Sequence, residues 1–246
     1  MTFYPKSFYA LRDDQTRQSA VGVLKQVVDL VQPKSAIDIG CGTGTWLSVL
    51  KEHGCNPIKG VDFADLPEDD LEISRNEYIV HDLTKPLKER VSFDMALCLE
   101  VAEHIPSSFV DTLVDSLVGA SPVVVFSAAV PGQGGMNHVN EQWPDYWSEK
   151  FSHRGYVALD VIRPRIWNNK SVFYWYRQNT IMFVDGNHSV LNLIKNRAGR
   201  RDDVLSIVHP EAFAKKTAEF DRSRRESGIS ALANRVQRFL SRSKYE

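Results

Sequence analysis

The sequence predicts an α/β domain whose doubly wound, mostly parallel sheet has seven strands. Three observations lead there. Short apolar runs alternate with segments of helical periodicity, a glycine-rich turn follows the first apolar run, and two further runs near residue 180 alternate like an antiparallel pair.

The elements follow in order. Residues 15–31 place Ala20, Val23, Leu24, Val27, Val28 and Val31 at helical spacing, and Pro33 ends the helix. Ser35–Gly40 is an apolar run of the kind a strand buried on both faces requires. Thr43–His53 is a helix capped by Gly54, Pro57–Phe63 a second strand, and Tyr78–Asp82 a third after the acidic loop at Glu68–Asp70. Phe93–Glu100 is the fourth strand. Pro106 suits the first residue of a helix reaching Val118. Pro122–Val130 is a fifth, wholly apolar strand, and an aromatic helix follows at Pro144–His153. Tyr156–Pro164 and Tyr174–Val184 close the sheet as a hairpin. This gives a domain at 1–186. A helical, basic appendage or tail follows at 187–246, with helices at Ser189–Asn196 and Ser230–Lys244.

The 246 residues carry a net charge of −1, which selects neither an anionic nor a cationic partner. Residues 196–246 nevertheless hold 12 Lys and Arg against 7 Asp and Glu. Such a basic tail is either a solvated helix face or a grip on an anionic partner. Cys41, Cys55 and Cys98 form no Cys-x-x-Cys pair, which fits a reducing compartment without structural zinc. The first ten residues have no apolar signal region, and no apolar run is long enough to span a membrane. A cytoplasmic protein is expected.

The strongest motif is Ile37-Asp38-Ile39-Gly40-Cys41-Gly42-Thr43-Gly44. Glycines at 40, 42 and 44 let the chain turn sharply and let a ligand lie against the backbone. Three features favour S-adenosylmethionine (SAM) over a dinucleotide. Asp38 stands inside the strand ahead of the glycines, the spacing is Gly-x-Gly-x-Gly rather than Gly-x-Gly-x-x-Gly, and acids recur at the next strand ends. Asp62 ends the second strand, where a carboxylate can accept both ribose hydroxyls. Asp82 ends the third, where it can accept from the adenine amino group.

With these motifs and Phe93–Glu100, residues 20–184 resemble the class I SAM-dependent methyltransferases, which have a Rossmann-like fold. The resemblance implies that Gly40, Gly42 and Gly44 face the methionine part of SAM, Asp62 its ribose, and Asp82 with Leu83 its adenine. The candidate cofactor set is Asp38, Gly40, Cys41, Gly42, Gly44, Asp62, Phe63, Asp82, Leu83 and Leu99. That family's amino-methylating Asn-Pro-Pro-Tyr motif is absent after the fourth strand, which disfavours base N-methylation.

Glu100-Val101-Ala102-Glu103-His104 follows the fourth strand. His138 follows the fifth and the glycine-rich loop 131–135. Strands one, four and five are neighbours in doubly wound order, so the two segments border one cavity. Glu100, Glu103, His104 and His138 form a plausible octahedral oxygen and nitrogen site for Mg²⁺, Mn²⁺ or Fe²⁺. Such an ion would acidify a substrate hydroxyl. The pattern is similar to metal-dependent 2′-O-methyltransferases of small-RNA 3′ ends and to ubiquinone-pathway O-methyltransferases. A metal-free alternative keeps Glu100 on SAM, uses Glu103 as a helix cap, and makes His104 or His138 the base.

The stretch Phe126–Trp147 resembles a bacterial methyltransferase group often associated with glycan or cell-surface polysaccharide genes, a likeness running from Phe8 to Val184. Trp143, Tyr146 and Trp147 can stack on a sugar or base, or pack a helix against the core, since Trp143 and Trp147 are four residues apart. Arg163, Arg165 and Arg177 can clamp the phosphate of a nucleotide sugar or lie on the surface. The expected activity is O-methylation of a small, sugar-like or nucleotide-linked hydroxyl substrate. RNA 3′-terminal 2′-O-methylation and non-catalytic SAM binding are the alternatives. No RNA-binding module is visible in the sequence.

Overall fold

The computed structural model describes residues 6–87, 92–198 and 205–224. The chain divides into two compact units, one ending at Ile207 and the other beginning at Val208. In the first, the sheet has seven strands in the order β3-β2-β1-β4-β5-β7-β6. These are β1 (Ala36–Ile39), β2 (Ile58–Asp62), β3 (Tyr78–Val80), β4 (Met95–Leu99), β5 (Val123–Ser127), β6 (Tyr156–Leu159) and β7 (Ile181–Asp185). The first five pair in parallel, and β7 runs antiparallel to both β5 and β6.

The helices of this unit are α1 (Lys6–Val31), α2 (Thr45–Glu52), α3 (Val110–Ala120), α4 (Pro144–Ser152), α5 (Arg163–Ile166), α6 (Tyr174–Asn179) and α7 (Val190–Ala198). One core layer packs Ala20, Val23, Leu24 and Val27 of α1 with Leu47 and Leu50 of α2 on one sheet face. The other packs Leu113, Val114 and Leu117 of α3 with Trp147 and Phe151 of α4. Successive β1 residues divide between the layers, Ala36 to the first and Ile37 to the second, as the two-residue strand period requires. Every residue of β4 and β5 is buried, which explains why β4 is apolar throughout and β5 is apolar up to its last residue, Ser127.

Two elements differ from expectation. Pro106 does not open α3. Ile105 is extended, as the residue before a proline prefers, Pro106 itself has ψ 142°, and a 3₁₀ turn at Ser107–Phe109 leads into the helix. Residues 174–179 are a helix, not a strand. Trp46 packs edge-on against Tyr176 at 5.1 Å, and Phe173 stacks on Trp175 at 4.0 Å. A run of consecutive aromatics carries no period, so it fits a helix as readily as a strand. The antiparallel β6–β7 pairing itself is present.

The first compact unit continues beyond residue 186. Leu191 and Ile194 of α7 are buried in the same core layer as α1. The second unit contains a helix at 210–224. The expected helix at Ser230–Lys244 lies outside the described residues. Among those described, no helix is long and apolar enough to cross a membrane.

Candidate functional site

The glycine turn is built on the β1–β2 edge. The backbone N–H groups of Gly40 and Cys41 both donate to the Val61 carbonyl, at 2.7 and 3.1 Å, which carries the chain over the carboxyl end of the sheet. Gly42 has φ +55°, and a Cβ there would meet nothing within 4 Å. Its conformation suits glycine, and the space above it is open to a ligand. Gly40 and Gly44 differ: a Cβ would strike Val101 and Ile73 respectively, so packing forbids a side chain.

Asp62 ends β2 and turns back on this loop. Its Oδ2 accepts from Gly42 N at 2.8 Å and its Oδ1 from Ala64 N at 3.1 Å. Burial raises its pKa above the ordinary range. Asp38 in β1 is buried, and burial together with the Asp62 charge pushes it up to about 7. Asp82 is exposed, and hydrogen bonds from the Thr84 hydroxyl and backbone hold it below the ordinary range. Cys41, Leu83 and Leu99 are buried, and Phe63 is half-buried. The candidate cofactor residues therefore share the carboxyl edge of β1 to β4, where open α/β sheets bind ligands.

Beside them lies the titratable cluster. Glu103 and His104 occupy a 3₁₀ turn after β4, Ala102–His104. The Glu103 carbonyl accepts from the N–H groups of Val139 and Asn140, at 2.9 and 3.0 Å, and this clamps the loop carrying His138 onto that turn. One ligand atom from each of Glu103, His104 and His138 lies within 4.8 Å of the others. The imidazoles meet edge to face with centroids 5.0 Å apart. Glu103 is 1% exposed; its Oε1 is 4.0 Å from His138 Nε2, and its Oε2 has no hydrogen-bond partner. Burial, and then the charge of Glu100, hold the Glu103 carboxyl well above the usual range. A buried carboxylate with an unpartnered oxygen facing two imidazoles is the donor set a divalent cation would satisfy.

Glu100 does not join this group, contrary to expectation. Its backbone is left-handed, φ +56°, and its N–H donates to the Ser127 carbonyl and hydroxyl. Its carboxylate accepts from Gln133 Nε2 at 3.0 Å and from Asn179 Nδ2 at 3.2 Å. The side chain is spent on anchoring the 131–138 loop to the end of α6.

Three contributors escaped the sequence reading. Gln133 and Asn179 meet Glu100 only through the tertiary fold. Glu141 lies 2.8 Å from His138 Nδ1. Its spacing of three from His138, beside a glycine-rich turn, was the available signal.

The aromatic segment divides. Trp143 is 40% exposed, and Tyr146 is half-buried with its ring 5.7 Å from Lys150 Nζ. Trp147 is 2% exposed and packs on Phe126 at 5.0 Å, so it serves the core rather than a substrate. The arginines divide as well: Arg165 lies on the surface, as one of the two readings expected, while Arg163 and Arg177 are buried and bonded within the fold. Arg163 is buried, paired bidentately with Asp160 and donating to the carbonyls of Gln178 and Leu205. Arg177 is buried and donates to Trp167 O, while Arg165 donates to Val161 O and Arg197 O.

Gly135 supplies a local test. A Cβ there would fall 2.2 Å from His138 Nε2 and 2.4 Å from its Cε1. Gly135→Ala should therefore displace the imidazole while leaving the core intact. The melting temperature should stay within about 3 °C, a change of about 1 kcal/mol, while activity falls. Equal activity in both proteins would show that the ring position is unimportant.

A methyltransferase-domain family profile matches residues 12–157. No curated protein matches the chain. Three solved structures are similar. One is the sugar N-methyltransferase KedS8 from Streptoalloteichus sp ATCC 53650. It has 14% identity and TM-score 0.57, covering 75% of this chain and 96% of that one. Another is the magnesium protoporphyrin IX methyltransferase of Synechocystis PCC 6803 with bound SAM. It has 15% identity and TM-score 0.52, covering 75% and 86%. The third is the methyltransferase domain of bacterial CtHen1, at 21% identity and TM-score 0.47, covering 69% and 98%. At such identities the first two likenesses establish the fold.

Proposed function

The chain belongs to the methyltransferase-domain family, and from that premise we propose that it transfers the methyl group of SAM to a hydroxyl oxygen of a small, sugar-like acceptor. Glu103, His104 and His138 would hold a divalent cation beside that acceptor. The observation that carries this reading is the convergence of those three side chains at the carboxyl edge of β4 and β5, with Glu103 Oε2 unpartnered.

SAM supplies an electrophilic methyl carbon when bound. The open space over Gly42, the Asp62 carboxylate at the β2 end and buried Asp38 fit it. A cation on the three side chains supplies Lewis acidity that eases deprotonation of a hydroxyl. Two imidazoles and one carboxylate suit Mn²⁺ or Fe²⁺ better than Mg²⁺. The residues themselves position groups. His104 Nδ1 faces the Asn137 carbonyl at 3.2 Å, which directs its Nε2 away from that carbonyl. Exposed Trp143 offers a ring face on which a sugar can stack. A metal-free reading rests on the Glu141–His138 contact, which also suits a general base with an orienting carboxylate.

The test is product analysis with labelled SAM against sugars, nucleotide sugars and an RNA with a free 3′ end. Methyl on a sugar hydroxyl is expected. Methyl only on nitrogen refutes the reading, and methyl only on the RNA 2′-oxygen replaces the acceptor class. In calorimetry Asp62→Ala should lose about 1–3 kcal/mol of SAM affinity, as a lost buried polar contact does. Unchanged affinity would remove Asp62 from the cofactor site.

A further inference from the structure

We infer that Glu141 is a positioning residue for His138, held by a glycine turn so that the imidazole presents Nε2 to Glu103 and His104; this rests on the O-methyltransferase reading above. The geometry runs outward from the ring. His138 Nδ1 lies 2.8 Å from Glu141 Oε1. A carboxylate only accepts, so in the neutral ring the proton sits on Nδ1 and the Nε2 lone pair is bare. Nε2 is the atom 4.0 Å from Glu103 Oε1.

Glu141 is itself fixed. Its Oε2 accepts from Gly132 N at 2.8 Å and its Oε1 from Gly134 N at 2.7 Å. Gly132 and Gly134 both have positive φ, +83° and +70°, and so turn their amides toward one carboxylate. Gly135 leaves the ring its space, since a side chain there would meet it. Residues 138–143 are not helical, so the contact is not a by-product of helical spacing. The glycine-rich loop 131–135 thus gains a definite task. A carboxylate behind a ligating or basic imidazole fixes the tautomer and ring orientation, and losing such a partner costs about 10- to 100-fold in activity or metal affinity.

The experiment compares the full-length protein with Glu141→Ala and Glu141→Gln. Nitrogen-15 NMR of the histidine rings at about pH 8, where imidazole is neutral, reads the tautomer, with His138→Gln assigning the signal. The wild type should show His138 protonated on Nδ1. Glu141→Ala should shift it toward Nε2–H and lower kcat by about 10- to 100-fold with SAM affinity unchanged. Glu141→Gln, whose amide oxygen still accepts, should keep the Nδ1–H signal and recover most of kcat. A wild-type ring protonated on Nε2, or an alanine variant with wild-type tautomer and kcat, overturns the inference. Recorded on metal-free protein, the NMR signature depends on neither cation nor acceptor, so it stands or falls separately from the proposed reaction.

Discussion

His138→Ala should lower methyl transfer by at least about a thousandfold while SAM affinity stays within about twofold. The upper part of that loss follows from removing a general base or a cation ligand at the reacting hydroxyl. Unchanged cofactor binding follows from place. His138 sits on the loop after β5, across the edge from Asp62 and the glycine turn. Single-turnover rates with saturating SAM, beside a calorimetric titration, check both halves. Chelation then separates the two chemistries the cluster allows. If Glu103, His104 and His138 hold a cation, excess EDTA abolishes turnover and Mn²⁺ restores it. Full turnover in EDTA by a metal-free protein would leave base catalysis by His138. Retention of most activity by His138→Ala would remove this cluster from the mechanism altogether.

Asp38→Asn should stabilise the ligand-free protein at pH 8 and weaken its hold on SAM. The Asp38 carboxyl is raised from 3.8 to about 7 in the fold by burial and by Asp62. The folded state therefore binds the proton more tightly than the unfolded chain. This contribution to stability is fully present below about pH 4 and is lost as pH rises through about 7. The loss amounts to about 2–4 kcal/mol on the scale of 1.36 kcal/mol per unit. The uncharged isostere escapes it, so its melting temperature at pH 8 should be higher by about 5–10 °C. At pH 4 the two proteins should melt together. A gap independent of pH would show that ionisation is not the cause. The ionised carboxylate gains a counter-charge when a ligand bearing a sulfonium and an ammonium group binds. Added SAM should accordingly close the gap between wild type and variant, and calorimetry should show the variant binding more weakly.

Much of this architecture could be read from residues alone, and the reason is physical. Parallel strands covered on both faces are nearly all apolar, so β4 and β5 announce themselves, β1 is marked by the glycines that follow it, Asp62 ends β2, and Asp82 follows β3 by two residues. Glu103, His104 and His138 could be grouped because strand order brings β4 and β5 side by side. What could not be read was backbone conformation at single residues. The left-handed turn at Glu100 sends its carboxylate to Gln133 and Asn179, and no residue type at that position announces it. Trp147 was indistinguishable from Trp143 because four-residue spacing puts both on one helix face. The cap at Trp143 leaves one ring in solvent while the other enters the core. Burial of Arg163 and Arg177 was equally hidden, since their acceptors are mostly backbone carbonyls, which every sequence possesses.

The pairing of Arg163 sets a lower bound on the piece of chain that can fold alone. Its guanidinium is buried, and one of its acceptors is the carbonyl of Leu205. Trimming the gene at residue 186, where strand signals end, would remove α7 and that carbonyl together. A permanently charged group would then remain in the interior with an N–H aimed at nothing, and no shift of protonation can relieve an arginine. Truncated forms, domain fusions and grafts of this scaffold should therefore carry the chain past Leu205. The same requirement gives the stretch after β7 a selective reason to persist that is separate from any role in recognising an acceptor.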